Sequence, residues 1–205
     1  LVFDIEANGL LNTVDKIWMV CAEDINTGVT YDFCDYNSGC YPLKEYRDLL
    51  SEAESVSGHF VLGYDFPALR KVDNVILPSK VKVRDTLIMS KVLNYKRFWH
   101  GRHSLEAWGE YFKQPKPEHE NWLEYSDEML HRCREDRSIN VKVLQKLTAE
   151  FISLNRSQVE RKQVTPSGIS YIAQSMRDEH DVLVFCSEAE RVGWPFDVEK
   201  AIPLL

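Results

Sequence analysis

The first six residues of the chain alternate strictly between two sets of side chains. Leu1, Phe3 and Ile5 are apolar, whereas Asp4 and Glu6 stand two positions apart in the other set. In an extended chain residues i and i+2 point to the same face, so the segment predicts a β-strand with one apolar face and two adjacent carboxylates on the other. An isolated pair of this kind is usually a solvated strand face, and the rest of the sequence decides whether it is more.

The remaining pattern alternates further strands with amphipathic helices. Period-2 segments and short apolar runs predict strands at residues 16–23, 29–34, 56–62 and 81–83. Apolar spacings of three and four residues predict helices at 43–54, 64–72, 86–93, 105–112, 126–151 and 169–191, with Asp85 and Ser104 as N-caps. This order predicts an α/β fold in which helices flank a mixed sheet. We expect residues 1–152 to form the main domain and residues 153–205 to form a helical extension.

The composition is that of a globular protein and argues against a membrane-spanning protein and a disulfide-bonded scaffold. With 44% hydrophobic residues over 205 positions the chain can bury a core, and no apolar run reaches the roughly 18 residues that a membrane helix needs. Five cysteines, an odd number without a C-x-x-C pair, indicate free thiols and a reducing compartment such as the cytoplasm. The net charge of −7 argues against phosphate binding, except where carboxylates hold cations that present positive charge to the phosphate.

Three acidic motifs follow one another along the chain. They are D-I-E-A-N-G-L at 4–10, G-H-F-V-L-G-Y-D-F-P-A-L at 58–69 and H-R-C-R-E-D at 131–136. Their order resembles the three exonuclease motifs of the DEDD superfamily of 3′–5′ exonucleases, whose fold is ribonuclease H-like (DnaQ-like). D-T-L at 85–87, S-L-E-A-W-G at 104–109 and G-W-P-F-D at 193–197 also look like the proofreading half of phage-type family A DNA polymerases. The resemblance therefore covers essentially the whole chain.

The resemblance implies a metal site and a reaction. Asp4, Glu6, Asp65 and Asp136 would be ligands of two divalent ions, Mg²⁺ or Mn²⁺, which prefer hard oxygen donors and would neutralise four converging carboxylates. The implied reaction removes nucleoside 5′-monophosphates from single-stranded or frayed DNA 3′ ends. The implied partner is a polymerase domain in the same or a companion chain, and the implied location is the cytoplasm of a bacterium that hosts a phage.

The general base is where the sequence departs from the polymerase-type members. They carry tyrosine four residues before the last acid, whereas this chain has Arg132, which stays protonated and cannot accept a proton from water. His131, five residues before Asp136, matches the H-x-x-x-x-D form of bacterial replicase proofreading subunits and would be a base that is neutral near pH 7. Five residues of an unbroken helix turn ~500°, so His131 needs a helix break between 126–130 and 134–151. A surface or packing histidine, and an impaired site, stay open as alternatives.

Several further residues are candidates for contact with the substrate. The resemblance places Ala7, Asn8 and Leu10 around the terminal nucleotide, with Leu10 as a wedge between bases. Phe60 stands where the family usually has asparagine, and its ring can stack on a terminal base or, as apolar rings more often do, pack into the core. Arg132 is a further candidate. Basic and aromatic residues alternate in the segment 96–103, a pattern that suits either a single-strand groove or a solvated loop.

Two other functions stay open beside the proofreading exonuclease. A stand-alone exonuclease or exoribonuclease of the same superfamily would use the same carboxylates, since these do not distinguish deoxyribose from ribose. A catalytically silent domain that binds single strands would fit Arg132 and Phe60, but it would have little need of all four acids.

Overall fold

A computed structural model of the chain describes residues 1–115, 119, 121–193, 200 and 202. Within these residues one sheet contains the strands β1 (Val2–Ala7), β2 (Ile17–Glu23), β3 (Thr30–Phe33), β4 (Ser55–Gly58) and β5 (Lys82–Asp85). The α-helices of the same part are α1 (Tyr46–Glu52), α2 (Asp65–Asp73), α3 (Thr86–Leu93), α4 (Leu105–Phe112), α5 (Asp127–Glu160) and α6 (Tyr171–Val192). Of the motif at 193–197, the residues from 194 onward lie outside the described residues.

The sheet is mixed, and β1 lies at its centre. The strand order is β3-β2-β1-β4-β5, with β1 antiparallel to β2 and parallel to β4. The pair β2–β3 is antiparallel, and β4–β5 is parallel. The predicted α/β fold, a ribonuclease H-like mixed sheet flanked by helices with a C-terminal helix, is confirmed.

The alternating pattern of β1 assigns its two faces to two different sets of helices. Phe3, Ile5 and Ala7 belong to a core cluster that includes residues of α1 and α2. Val2, on the other face, packs with residues of α5 such as Ile139 and Leu144. Because side chains alternate along a strand, Asp4 and Glu6 share the α5 face with Val2.

Helix α5 is a single helix that crosses this face of the sheet. Its N-cap is Ser126, whose hydroxyl accepts a hydrogen bond from the Met129 amide at 3.1 Å. The helix continues without a break to Glu160, nine residues beyond the predicted end. The predicted domain boundary after residue 152 therefore falls inside α5, and the division into two domains stays a prediction.

The strand β4 is shorter than predicted because the chain turns sharply after Gly58. Phe60 adopts a left-handed backbone conformation with φ 65°. The Asp85 carboxylate accepts hydrogen bonds from the amides of Phe60 and Leu62, both at 3.1 Å, so these amides are unavailable to a strand partner. An added Cβ at Gly58 would lie 2.7 Å from the Phe3 carbonyl oxygen, so this position requires glycine.

Helix α6 packs beside the segment that follows β4. The His180 Nε2 atom accepts a hydrogen bond from the Asp85 amide at 2.9 Å, and the Ser187 hydroxyl donates one to the Leu62 carbonyl at 2.9 Å.

The five cysteines are free thiols, as predicted. Among the described residues no helix combines the length and the apolar character that crossing a bilayer would require.

Candidate active site

A cleft of about 240 Å³ opens beside the central strand on the α5 side of the sheet. All four acids that the sequence motifs singled out line it, and they come from three elements, since Asp4 and Glu6 lie in β1, Asp65 begins α2 and Asp136 lies in α5. The other lining residues are Ile5, His59, Phe60, Tyr64 and Leu105. The fold thus brings together acids that are up to 132 positions apart in the sequence.

Three of the carboxylates form a tight cluster. One carboxylate oxygen each from Asp4, Glu6 and Asp136 lies within 4.8 Å of the other two. Glu6 and Asp136 are buried, and Asp4 is partly buried. Like charges at this separation repel each other strongly away from water, so a cation beside the carboxylates would stabilise the arrangement.

Two residues of α5 that the sequence analysis did not single out hold Asp4 in place. The Asn140 amide donates a hydrogen bond to one Asp4 carboxylate oxygen at 3.4 Å, and the Cys133 thiol donates to the Asp4 carbonyl oxygen at 3.6 Å. Burial raises the pKa of the Cys133 thiol well above its usual value, and the nearby Cys21, Asp4 and Glu6 add to this, so the thiol stays protonated and remains a donor. Asn140 follows Asp136 by four residues, and this helical spacing was a signal that could have identified it.

Asp65 approaches the cleft from the other side of the sheet. It is the first residue of α2 and is buried, and its carboxylate lies outside the three-acid group, as judged over the described residues. The preceding Tyr64 donates a hydrogen bond from its hydroxyl to the Gly9 carbonyl at 2.5 Å. Burial, with added repulsion from Asp65 and Glu6, raises the pKa of Tyr64 to about 12, so the phenol stays neutral and is no base near pH 7.

Phe60 lies in the cleft wall, and the expectation that its ring packs into the core is wrong. The residue is 40% exposed and lines the cleft. Its ring covers Gly63, where an added Cβ would lie 2.2 Å from two ring carbons. The left-handed backbone at Phe60 turns the side chain out of the core, while Gly63 leaves space for the ring.

His59 makes a structural hydrogen bond beside the cleft. The Thr86 hydroxyl donates to the Gly58 carbonyl at 3.1 Å and therefore accepts from His59 Nδ1 at 2.9 Å.

The Asp85 side chain beneath this segment accepts from four amides, two in the cleft wall and those of Leu87 and Ile88 at the start of α3. Burial raises the pKa of the Asp85 carboxyl, and these amide donors oppose the shift.

Arg132 lies directly against the acidic cluster. Its Nε atom is 3.5 Å from a Glu6 carboxylate oxygen and 4.0 Å from an oxygen of Asp136, one helical turn away. On its other side the guanidinium carbon lies 5.2 Å from the centre of the Trp122 ring. The structure therefore places Arg132 beside the carboxylates as their ion-pair partner. Its contact with a substrate stays a prediction.

His131 is separated from the carboxylates, because the helix break that its predicted role requires does not exist. Helix α5 is continuous from Asp127 to Glu160, so five residues place His131 about 140° around the helix from Asp136. The His131 side chain is exposed, and it is not among the residues that line the cleft. The helix break on which a general-base role of His131 depends is therefore absent, and His131 faces away from the cluster.

The residues that follow Glu6 have different surroundings. Ala7 is buried in the core cluster beneath β1. The Asn8 side chain closes the loop to β2, because its oxygen accepts from the amides of Asp15 and Lys16, each at 3.1 Å. Leu10 is 75% exposed, so its side chain is accessible to a substrate. Contact of these three residues with a nucleotide stays a prediction.

The basic and aromatic loop at 96–103 precedes α4, whose first residue, Leu105, lines the cleft. Trp99 is 81% exposed, and Tyr95 is exposed as well. Two of the loop's cations form ion pairs within the protein, Arg97 with Glu150 and Arg102 with Glu110. The exposed rings leave strand contact as a prediction for this loop.

The chemistry of the cluster fits a hard divalent cation. Its donors are carboxylate oxygens from a strand and a helix whose positions are set by backbone packing, and Asn140 orients one of them. Asp65 adds a fourth carboxylate to the same cleft. These residues suit Mg²⁺ or Mn²⁺ better than softer metals, because neither a thiolate nor an imidazole belongs to the group.

Comparison with known proteins gives two kinds of similarity. No family model matches the chain. The DNA-directed DNA polymerase of Enterobacteria phage T3 is 26% identical over 256 residues, and that of Escherichia phage T7 is 25% identical over 255 residues. Each alignment covers 98% of this chain and 34% of the polymerase, so the chain spans about a third of the length of these relatives.

Solved nuclease structures share the fold. Brucella melitensis NrnC superposes with a TM-score of 0.62 at 16% identity, and the apo form of a nuclease with a TM-score of 0.63 at 17% identity. NrnC bound to pGG superposes with a TM-score of 0.61 at 17% identity. Each match covers 96% of this chain and 87% of the other. Together with the weak similarity to the phage polymerases, the shared fold confirms the resemblance of this chain to the DEDD-type exonucleases.

Proposed function

We propose that this chain is a divalent-metal-dependent 3′–5′ exonuclease that removes nucleoside 5′-monophosphates from single-stranded or frayed DNA 3′ ends. The observation that carries the proposal is the cluster of Asp4, Glu6 and Asp136, whose oxygens lie within 4.8 Å of one another in a cleft that Asp65 also lines. The similarity to two phage DNA polymerases over 98% of the chain supports DNA as the substrate.

The four acids would hold two ions, Mg²⁺ or Mn²⁺. Two such ions supply Lewis-acid stabilisation of both the attacking and the leaving oxygen of a phosphodiester. The chain's own residues position the reactants. Phe60 and Leu10 present exposed apolar side chains that can contact the terminal base, and Asn140 and Cys133 keep Asp4 oriented.

The same polymerase similarity supports a proofreading role beside a polymerase domain, in the same or a companion chain, in the cytoplasm of a bacterial host. Such a domain would receive mismatched 3′ ends from the polymerase. The cleft suits frayed ends because its apolar wall can hold an unpaired base, whereas a paired base would remain stacked in the duplex.

A time course of nucleotide release from a 3′-mismatched DNA primer tests this function. Release should require Mg²⁺ or Mn²⁺, stop with EDTA, and fall on the order of 10³-fold or more in Asp4→Ala, since a metal stabilises the transition state by several kcal/mol and each 1.4 kcal/mol is tenfold. Asp48→Ala removes an exposed acid of α1 and should leave release unchanged. Metal-independent release, or full activity in Asp4→Ala, would contradict the proposal.

A second candidate is a stand-alone exonuclease that acts on short oligonucleotides. It is supported by the shared fold with a nuclease whose structure was solved with pGG bound. Matched DNA and RNA oligonucleotides and pGG, digested side by side, distinguish the candidates, because a proofreading domain should favour the DNA primer with the mismatched end. If none releases nucleotides while single strands still bind, the chain is a silent binding domain.

A further inference from the structure

Arg132 lies against the acidic cluster, and the proposed reaction gives this arginine no role. Its Nε atom lies 3.5 Å from Glu6 and 4.0 Å from Asp136, and both of these carboxylates belong to the three-acid group. The Arg132 side chain is only 17% exposed, so water screens these charges weakly.

The arginine is held in this position from outside the cluster. The Trp122 ring lies 5.2 Å from the guanidinium carbon, a cation–π distance. Trp122 is in turn fixed to the sheet, because its carbonyl oxygen accepts a hydrogen bond from the Trp18 indole nitrogen at 2.9 Å. Placement of the guanidinium thus depends on β2, on the segment before α5, and on α5 itself, rather than on a surface side chain that moves freely.

A guanidinium in this place changes how the cluster binds metals. A guanidinium carries a positive charge, so Arg132 offsets one of the negative charges that would attract a divalent ion. It also lies against oxygens of Glu6 and Asp136, two of the three acids whose oxygens would hold a divalent ion. A divalent ion and this guanidinium therefore compete for the same two carboxylates.

We propose that Arg132 is a built-in cation of this centre, which competes with a divalent ion for Glu6 and Asp136 and so weakens metal binding by the protein alone. The inference rests on the proposed function, in which the four acids hold two ions. It assigns to Arg132 the control of how tightly the acidic cluster binds divalent ions. Arg132 is thus a positioning residue of the metal site.

Calorimetric titration of the full chain with Mn²⁺, after removal of metals with EDTA, tests the inference without any substrate. Arg132→Gln should bind Mn²⁺ at least about tenfold more tightly than the wild type, because the competing charge is gone.

A neighbouring arginine supplies the matched control. Arg134→Gln removes the same charge two residues away, where Arg134 pairs with Asp32 at 2.8 Å, and it should titrate like the wild type. Arg132→Met, which keeps the length and loses the charge, should behave as Arg132→Gln, and it serves as the second variant if the first does not fold.

The outcomes separate the two proposals. If the Arg132 variants titrate like the wild type and Arg134→Gln, the inference is overturned. If they do so while the wild type releases nucleotides, the inference fails and the exonuclease function stands. If neither the wild type nor the variants bind Mn²⁺, both proposals fail.

Discussion

The Asp85 carboxylate accepts a hydrogen bond from the backbone amide of Phe60 at 3.1 Å, across 25 positions of sequence. The same carboxylate accepts from the Leu62 amide at 3.1 Å and from the Leu87 amide at 2.9 Å. One buried side chain therefore both caps α3 and fixes the cleft wall that carries Phe60. This link predicts that a helix cap influences substrate binding.

Replacing Asp85 with alanine should destabilise the protein and weaken substrate binding together. Loss of the cap and of partners for buried amides should lower the free energy of unfolding by about 2–4 kcal/mol, as measured by urea denaturation. The KM for a DNA primer should rise, because the Phe60–Leu62 segment loses two of its anchors. Ser126→Ala, which removes only the cap of α5, should cost about 1 kcal/mol and leave KM unchanged.

The exposed ring of Phe60 predicts a binding effect without a stability effect. Phe60→Ala should raise the KM for single-stranded DNA about 5- to 100-fold, since stacking of a base on an aromatic ring is worth ~1–3 kcal/mol. Gly63→Ala should act in the same direction, because the added Cβ would lie 2.2 Å from the ring and displace it. Phe185→Ala removes an exposed ring of α6 and serves as the control. An unchanged KM in both cleft variants would show that the ring does not touch the substrate.

The position of His131 predicts that it is dispensable. His131→Ala should retain turnover and the wild-type pH dependence of kcat, because α5 is unbroken and the exposed imidazole faces away from the carboxylates. A general base would contribute about 10²–10⁴-fold, so a loss of that size in steady-state kinetics would refute the placement.

The pair of Arg97 and Glu150 anchors the basic loop to α5 and predicts a pH-dependent stability. The two side chains form two hydrogen bonds, at 3.0 and 2.6 Å, and Arg97 is only 7% exposed. Burial alone would raise the pKa of Glu150, but the hydrogen bonds from Arg97 and Lys146 outweigh it and lower the pKa below its usual value. Glu150→Gln should lower the free energy of unfolding by about 1–3 kcal/mol at pH 7, because it leaves a buried guanidinium poorly paired.

The sign of the pH effect follows from the lowered pKa. The folded state binds the Glu150 proton more weakly than the unfolded state, so the stabilisation is fully present above the unfolded value of about 4.3 and is lost as the pH falls through the lower folded value. Urea denaturation of the wild type and of Glu150→Gln should therefore converge in acid. Glu160→Gln, an exposed change in the same helix, should show no difference at any pH. A gap that stays constant down to pH 3 would contradict the assignment.

Much of the architecture could be predicted because it depends on local patterns. Alternation in the first six residues placed Asp4 and Glu6 on one face, and the spacing of apolar residues identified the helices that cover the sheet. Asp85 was recognisable as an N-cap from its position before a helical pattern, and its side chain does accept the Leu87 and Ile88 amides. The order of the acidic motifs, through the resemblance, indicated which carboxylates would share one cleft.

The sequence by itself thus determined the elements and their faces, because strand and helix periodicity act over a few residues, and the resemblance of its motifs indicated the acids that line the cleft. Only the tertiary structure decided which side chains surround those acids. Continuity of α5 moved His131 away, contact with Glu6 and Trp122 made Arg132 a cation of the cluster, and a left-handed turn exposed Phe60. Each of these depends on backbone packing between segments far apart in the chain, where the long-range contacts, rather than local propensity, set the geometry.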